Sequence, residues 1–316
     1  MSIKKIIAVV GATGAQGGGL VRAILNDPEN IFQVRALTRN PNSEKAKELS
    51  SLGVEVVKAD LDDLGSLKQA FQGAYSAYCV TNFWEHFSPE KELSQAANMA
   101  EAAKDAGLEH VIWSTLEDTR NWVPLDDNRM PTLKEKYKVP HFDAKGEANQ
   151  FFTNNGVPTT FMMAAFYWEN MIYFGMEPKR DETGVLAITF PMGEMKLPGI
   201  AAEDIGRCAL GIFKGGRDYI GKTVGIAGGH PTGTEMAEAL SRALGERVNY
   251  NAVPADVYRS FDFPGADDLG NMFQFHRDFN AYFCGSRDLD ESRKLNPSLQ
   301  SFDEWLVKNK DRLPIQ

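Results

Sequence analysis

Apolar and polar positions follow two rhythms along the first half of the chain. Short apolar runs of strand length lie near residues 4–10, 32–38, 54–58, 74–80, 109–114 and 158–163. Between them, near 17–27, 43–52, 63–72, 89–107 and 143–155, apolar residues recur at helical spacing. Strands alternating with helices predict an α/β fold in which a doubly wound parallel sheet carries helices on both faces. Such sheets bind ligands beyond the carboxyl ends of their strands, so the residues just after each strand are the first candidates for chemistry. The second half breaks the rhythm. It is rich in glycine, proline and aromatics, as in Pro191-Met192-Gly193 and Phe263-Pro264-Gly265-Ala266-Asp267-Asp268. It reads as irregular, apart from a helix opening at Ala201-Ala202-Glu203-Asp204-Ile205-Gly206 and helical stretches over 233–245 and 301–309.

The first strand, Ile6-Ile7-Ala8-Val9-Val10, runs into Gly11-Ala12-Thr13-Gly14-Ala15-Gln16-Gly17-Gly18-Gly19 and then a helical pattern. Glycines at this junction let the backbone approach a pyrophosphate, and the helix N-terminus offers N–H groups and positive dipole to its charge. The same glycines also suit a tight turn with no ligand, but the strand–turn–helix context is the one a dinucleotide motif requires. We therefore expect a Rossmann dinucleotide-binding domain over 1–165, its sheet completed by later segments. A smaller mixed lobe over 166–316, built from interleaved insertions, would complete the fold, and the cleft between them is the default substrate or effector site.

The end of the second strand chooses the dinucleotide. An acid there accepts from the ribose 2′-hydroxyl and favours NAD, whereas a basic residue accommodates a 2′-phosphate. This chain has Thr38-Arg39-Asn40-Pro41-Asn42-Ser43. Arg39 is a planar fork suited to phosphate oxygens, which predicts NADP(H), although a solvated surface arginine would look the same. After the third strand, Asp60 is placed to accept from an adenine amino group, while Asp62 and Asp63 read as acids at a helix N-terminus. After the fourth, Thr81 and Asn82 are expected to line the middle of the cofactor. Phe83 and Trp84 either wall that region or pack in the core.

Short-chain dehydrogenases place a tyrosine four residues before a lysine on one helix, where the ammonium lowers the phenol pKa, and add a serine from the preceding strand. Here the register is His141-Phe142-Asp143-Ala144-Lys145, with Ser114 on the fifth strand. His141, Lys145 and Ser114 are the catalytic candidates. Three roles stay open for His141: a replacement acid, a remnant at a site where Lys145 only binds the nicotinamide ribose, or a helix-start residue without ligand contact. Tyr137 lies before Pro140, outside the expected helix, and is a poor substitute donor.

The formal charge of −9, without a long basic run, argues against a direct nucleic-acid surface. Cys79, Cys208 and Cys284 are far apart, show no metal spacing and suit a reducing compartment. Cys79, closing a buried strand, is expected to be structural. The opening strand reads as core, not as a signal peptide. No apolar run is long enough to span a bilayer.

Gly11 to Gly17, Thr38-Arg39-Asn40-Pro41, Thr81-Asn82-Phe83-Trp84-Glu85, His141-Phe142-Asp143-Ala144-Lys145-Gly146-Glu147, Tyr167-Trp168-Glu169-Asn170 and the late segment 263–273 together resemble the NmrA-like family of atypical short-chain dehydrogenases. The likeness is greatest to its HSCARG-type NADPH-sensor branch. The resemblance implies NADP(H) binding, generally without the tyrosine needed for turnover, and a regulator that acts through transcription factors or signalling proteins. A homodimer, the commonest soluble assembly, and a cytoplasmic location, with nuclear entry left open, are expected. The resemblance also implies cofactor contacts at Gly11, Ala12, Thr13, Gly14, Ala15, Gln16 and Gly17, at Arg39, Asn40, Pro41, Asn42 and Ser43, and at Asp60 and Leu61. Thr81, Asn82, Phe83, Lys145, Tyr167, Trp168, Glu169 and Asn170 complete the set. A contacting lysine of the branch is replaced here by Ser94, with Lys91 a turn earlier. Some relatives are oxidoreductases of small-molecule pathways, so the alternative is an NADPH-dependent reductase of a carbonyl, quinone or enone.

Overall fold

The computed structural model describes residues 4–315. In chain order the elements begin β1 (Lys5–Val9), α1 (Ala15–Leu25), β2 (Phe32–Thr38), α2 (Glu44–Ser51), β3 (Glu55–Lys58), α3 (Leu64–Phe71), β4 (Ser76–Cys79), α4 (Pro89–Asp105), β5 (His110–Thr115), α5 (Pro140–Asn154) and β6 (Thr159–Met163). They continue β7 (Phe166–Tyr167), α6 (Asn170–Tyr173), β8 (Lys179–Arg180), β9 (Leu186–Phe190), β10 (Gly199–Ile200), α7 (Ala202–Gly215), β11 (Thr223–Gly225), α8 (Gly233–Leu244) and β12 (Val248–Ala252). Five helices close the chain: α9 (Ala255–Arg259), α10 (Ala266–Asp278), α11 (Asn280–Gly285), α12 (Leu289–Leu295) and α13 (Phe302–Asn309).

The chain divides into two compact, interleaved units. Unit one comprises the chain up to Asp118, Ala144–Met163 and Ile205–Val224. Its seven-stranded sheet runs β11-β6-β5-β4-β1-β2-β3, and β6 through β3 pair in parallel. The order reverses between β1 and β4, which makes their carboxyl ends the switch point. Apolar side chains of the sheet (Ala8, Val10, Ala77, Val111, Trp113) pack one face against Leu67, Phe71, Met99, Ala103 and Phe152 of α3, α4 and α5. The doubly wound sheet is the one the alternation predicts.

Unit two comprises Thr119–Asp143, Ala164–Asp204 and the chain from Gly225 onward. Its small sheets are a parallel β10–β7 pair and a mixed β12-β9-β8 sheet. Its core is aromatic: Phe273 meets Phe166, Phe190 and Tyr258, and Trp168 meets Phe302 and Trp305.

Two sequence expectations need correction. The stretch from Ala266 to Leu295 is helical, not irregular. In α10 both apolar residues and Asp268, Asn271, Gln274 and His276 are buried, so no one-sided apolar stripe marks the helix. Helix α5 begins at Pro140, the helix start that the proline marks and three residues before the bound near 143 that periodicity gives. Proline suits the first helical position, where its missing N–H would have no intrahelical partner.

Candidate functional site

The glycine turn is built for close approach. Gly11 has φ +65°, and its carbonyl accepts from Gly14 N at 2.8 Å. A Cβ on Gly17 would lie 2.4 Å from Gly11 O and 2.7 Å from Val10 O, so α1 sits directly on the turn. Gly14 caps α1 in extended conformation without a side-chain hydrogen bond, and no acid occupies the first turn. The helix therefore presents backbone N–H groups and positive dipole to whatever lies before it, as an anion site requires. Gln16 ties this turn to the neighbouring strands. Its Oε1 accepts from Ser114 Oγ at 2.8 Å and from the Tyr78 hydroxyl.

The loops after β2, β3 and β4 form a charged rim. Both Arg39 Nη atoms meet the Glu85 carboxylate, a contact that raises the guanidinium pKa. Asn40 Oδ1 accepts from Asn42 N at 3.0 Å, and Ser43 caps α2 through Ala46 N. After β3, Asp60 Oδ1 accepts from Asp62 N at 3.0 Å, and Leu61 O accepts from Asn98. Asp63 caps α3 as expected. Asp62 does not: it pairs with Lys91 at 2.9 Å and accepts from Gln95, which lowers its pKa. Its loop position lets it reach α4, where those two side chains lie. Lys91 is thereby engaged by a carboxylate.

Lys145, on α5, reaches the end of β4. Its Nζ lies 3.3 Å from Thr81 O, 2.5 Å from Thr81 Oγ1 and 3.1 Å from Glu92 Oε2, and 5.5 Å from the centre of the Trp113 ring. These three acceptors match the three hydrogens of an ammonium. Thr81 Oγ1 also contacts Glu92 Oε2. Glu92 is fully buried; its Oε1 has no hydrogen-bond partner, and His86 Nε2 lies 3.9 Å from it. Burial lowers the His86 pKa. Sequence reasoning missed Glu92. The signal was present, since Glu92 stands in register with Ala96, Met99 and Ala103 on the buried face of α4. A carboxylate in such a stripe calls for a cationic partner.

In unit two, His141 Nδ1 lies 2.6 Å from Asp268 Oδ1, and His141 N donates to Asp268 Oδ2 at 3.2 Å. Both residues are buried. The carboxylate fixes the ring orientation and favours the proton on Nδ1. Asp143 organises the segment before α5, accepting from Thr119 N (2.8 Å), Thr119 Oγ1 (2.6 Å), Lys138 N (2.7 Å) and Val139 N (3.0 Å). Tyr137 lies outside the helix, as expected, and pairs with Leu133 through backbone bonds of 2.7 and 3.0 Å. Trp168 is fully buried against Phe302 and Trp305. Glu169 accepts from Trp305 Nε1 at 2.9 Å and Ala202 N at 2.8 Å, and burial raises its pKa. Tyr167 is half-buried at the end of β7, and Asn170 opens α6.

Cys79 is buried at the end of β4, and burial pushes its thiol pKa up, consistent with a structural role. Among the described residues no cluster of His, Cys, Asp and Glu could hold a metal ion. No helix among them is long and apolar enough to cross a membrane.

The model of the NmrA-like family matches residues 3–306. An NmrA-like family domain-containing protein of Dictyostelium discoideum is 28% identical, over 97% of this chain and 98% of its own. An NmrA-like family domain-containing oxidoreductase of Penicillium ochrochloron is 26% identical, over 96% of this chain and 98% of its own. Among solved structures, NmrA, a negative transcriptional regulator crystallised in complex with NADP, aligns with a TM-score of 0.78 at 25% identity. That alignment covers 97% of this chain and 95% of NmrA.

Proposed function

The chain belongs to the NmrA-like family, and from that premise we propose that it is an NADP(H)-binding regulator of the HSCARG-type sensor branch, acting through a protein partner with little or no hydride transfer of its own. One observation carries this reading. An intact glycine cradle, closed by the approach of Gly17 to Gly11 O, occurs in a chain whose α5 offers His141, not tyrosine, one turn before Lys145.

The residues present fit a dinucleotide. The turn from Gly11 to Gly17 holds the pyrophosphate against the open end of α1. Arg39, with Asn40, Pro41, Asn42 and Ser43, holds the 2′-phosphate. Asp60 and Leu61 hold adenine, Thr81, Asn82 and Phe83 the middle of the molecule, and Lys145 the nicotinamide ribose. Bound nicotinamide supplies hydride chemistry; this chain's residues bind and orient it. Because a ligand shifts a conformational equilibrium only by its differential affinity, the loops after β2 and β4 are the elements through which occupancy reaches a partner surface. That the NmrA neighbour is a negative transcriptional regulator supports a partner of that class.

Calorimetric titration with NADPH and with NADP⁺ tests this reading. Unequal affinities, with no steady NADPH oxidation by carbonyls, quinones or enones, are expected. Turnover that vanishes on His141→Ala would overturn it.

A reductase is the second reading, favoured by the 2.6 Å contact between His141 and Asp268. An imidazole held by a buried carboxylate is an arrangement suited to proton transfer. The Penicillium relative is named an oxidoreductase. On this reading Asp268→Asn lowers the rate and shifts its pH profile while NADPH affinity stays within about twofold.

A further inference from the structure

The end of β2 and the turn after β4 bring opposite charges together in unit one. Arg39 leaves β2 and meets Glu85 fork to fork, Nη1 on Oε1 and Nη2 on Oε2, the latter at 3.2 Å. Both side chains are about half exposed. Glu85 is nevertheless held by a built turn. Phe83–Glu85 form one turn of 3₁₀ helix, with Phe83 buried beneath it. Trp84 packs edge-on against Phe83 at 5.5 Å and against Phe87 at 5.7 Å. Phe87 N donates to Phe83 O at 2.7 Å, and Phe87 takes φ +53°, a left-handed conformation unusual for a large side chain. The aromatic lock and the closed turn fix where the carboxylate stands.

The chemistry of that position is specific. At the ribose end of a dinucleotide site, an acid accepts from the 2′-hydroxyl and an arginine takes the 2′-phosphate. This chain carries both, the arginine at the end of β2 and the acid from a different element. A fork engaged by a carboxylate has fewer free donors for phosphate, and the carboxylate repels a phosphate dianion. The same carboxylate is an acceptor for a hydroxyl.

We propose that Glu85 is a specificity-determining residue that offsets the preference of Arg39 for the 2′-phosphate and admits NAD(H) to the site beside NADP(H). The inference rests on the reading of this site as a dinucleotide site, and deepens it. Glu85 sets which nucleotide pool the protein responds to.

The test titrates the full-length protein calorimetrically with NADPH and with NADH, as wild type, Glu85→Ala and Glu85→Gln. Glu85→Ala is expected to tighten NADPH about threefold and weaken NADH about threefold, the size typical of one exposed ion pair or hydrogen bond. Glu85→Gln is expected to tighten NADPH equally while leaving NADH within about twofold, because the amide oxygen still accepts from a hydroxyl. Damage to the fold would weaken both nucleotides together, so opposite movement in one variant supports the proposal. Movement of both nucleotides in the same direction, or of neither, overturns it while leaving the dinucleotide reading intact. A wild type that binds neither nucleotide overturns both.

Discussion

Glu92 Oε2 stands 3.1 Å from Lys145 Nζ, with the carboxylate side chain 1% and the lysine side chain 11% exposed. The lysine that resemblance assigns to the nicotinamide ribose is therefore already the cation of a buried pair, supported by Thr81. Removing one member of such a pair leaves an uncompensated charge, which costs about 3–5 kcal/mol. Glu92→Ala and Lys145→Ala are each expected to destabilise unit one by about that amount in urea unfolding. The double variant should cost clearly less than the sum of the two, since contacting residues are non-additive. Additive losses would show that the pair is not energetically coupled.

Gly206 distinguishes packing from ligand binding. A Cβ there would lie 2.1 Å from Leu20 N, so α7 crosses α1 with backbone against backbone. Gly206→Ala is expected to lower stability by about 1–3 kcal/mol through overpacking. Gly17→Ala should lower it similarly and also abolish nucleotide binding, because it distorts the turn itself. Thermal unfolding with and without NADPH separates the two, with the ligand-induced rise in Tm kept by Gly206→Ala and lost by Gly17→Ala.

Stability should fall with acid through His110. Its ring lies 2.7 Å from Thr160 Oγ1, and burial lowers its pKa from 6.5 to about 4. The unfolded chain then binds a proton that the folded chain refuses between those values. Stability is complete above about pH 6.5 and is lost as pH falls toward 4, by at most about 3 kcal/mol. Fully buried His276, whose pKa is also held low by burial, acts with the same sign. His110→Gln should flatten this part of the profile in denaturant unfolding between pH 7 and pH 4.5; an unchanged slope would assign it elsewhere.

Asp143 accepts from three backbone N–H groups of the segment before α5, at Thr119, Lys138 and Val139. Asp143→Ala leaves buried donors unmet at about 1–3 kcal/mol each. The expected result is preferential proteolytic cleavage within residues 119–139, while Asp143→Asn, which keeps an acceptor oxygen, is cut more slowly. Equal cleavage of both variants and wild type would show that other contacts hold the segment.

What was legible in the sequence follows from locality. The strands and helices of unit one are set by apolar runs and helical spacing, and the glycine turn by the order strand, turn, helix. Asp63 at the cap of α3 and Tyr137 outside α5 follow from neighbouring residues alone. Partnerships between distant segments do not. His141 meets Asp268, 127 positions away, and Asp62 turns to Lys91 instead of its own helix. Helix α10 was hidden because Asp268, Asn271, Gln274 and His276 are buried beside the apolar residues, which erases the one-sided stripe that periodicity detects. Gln274, for example, donates to Arg129 O at 2.7 Å.

The late arrival of β11 bears on how the protein is made. The edge strand that joins β6 lies at Thr223–Gly225, and α7, which lies on α1, ends at Gly215. During synthesis the first six strands emerge from the ribosome well before these pieces. The nascent sheet then carries an unpaired β6 edge and an uncovered patch of α1 while more than fifty further residues are translated. Such surfaces favour aggregation, so chaperone dependence and low yield are expected of any fragment ending between Met163 and Ala202.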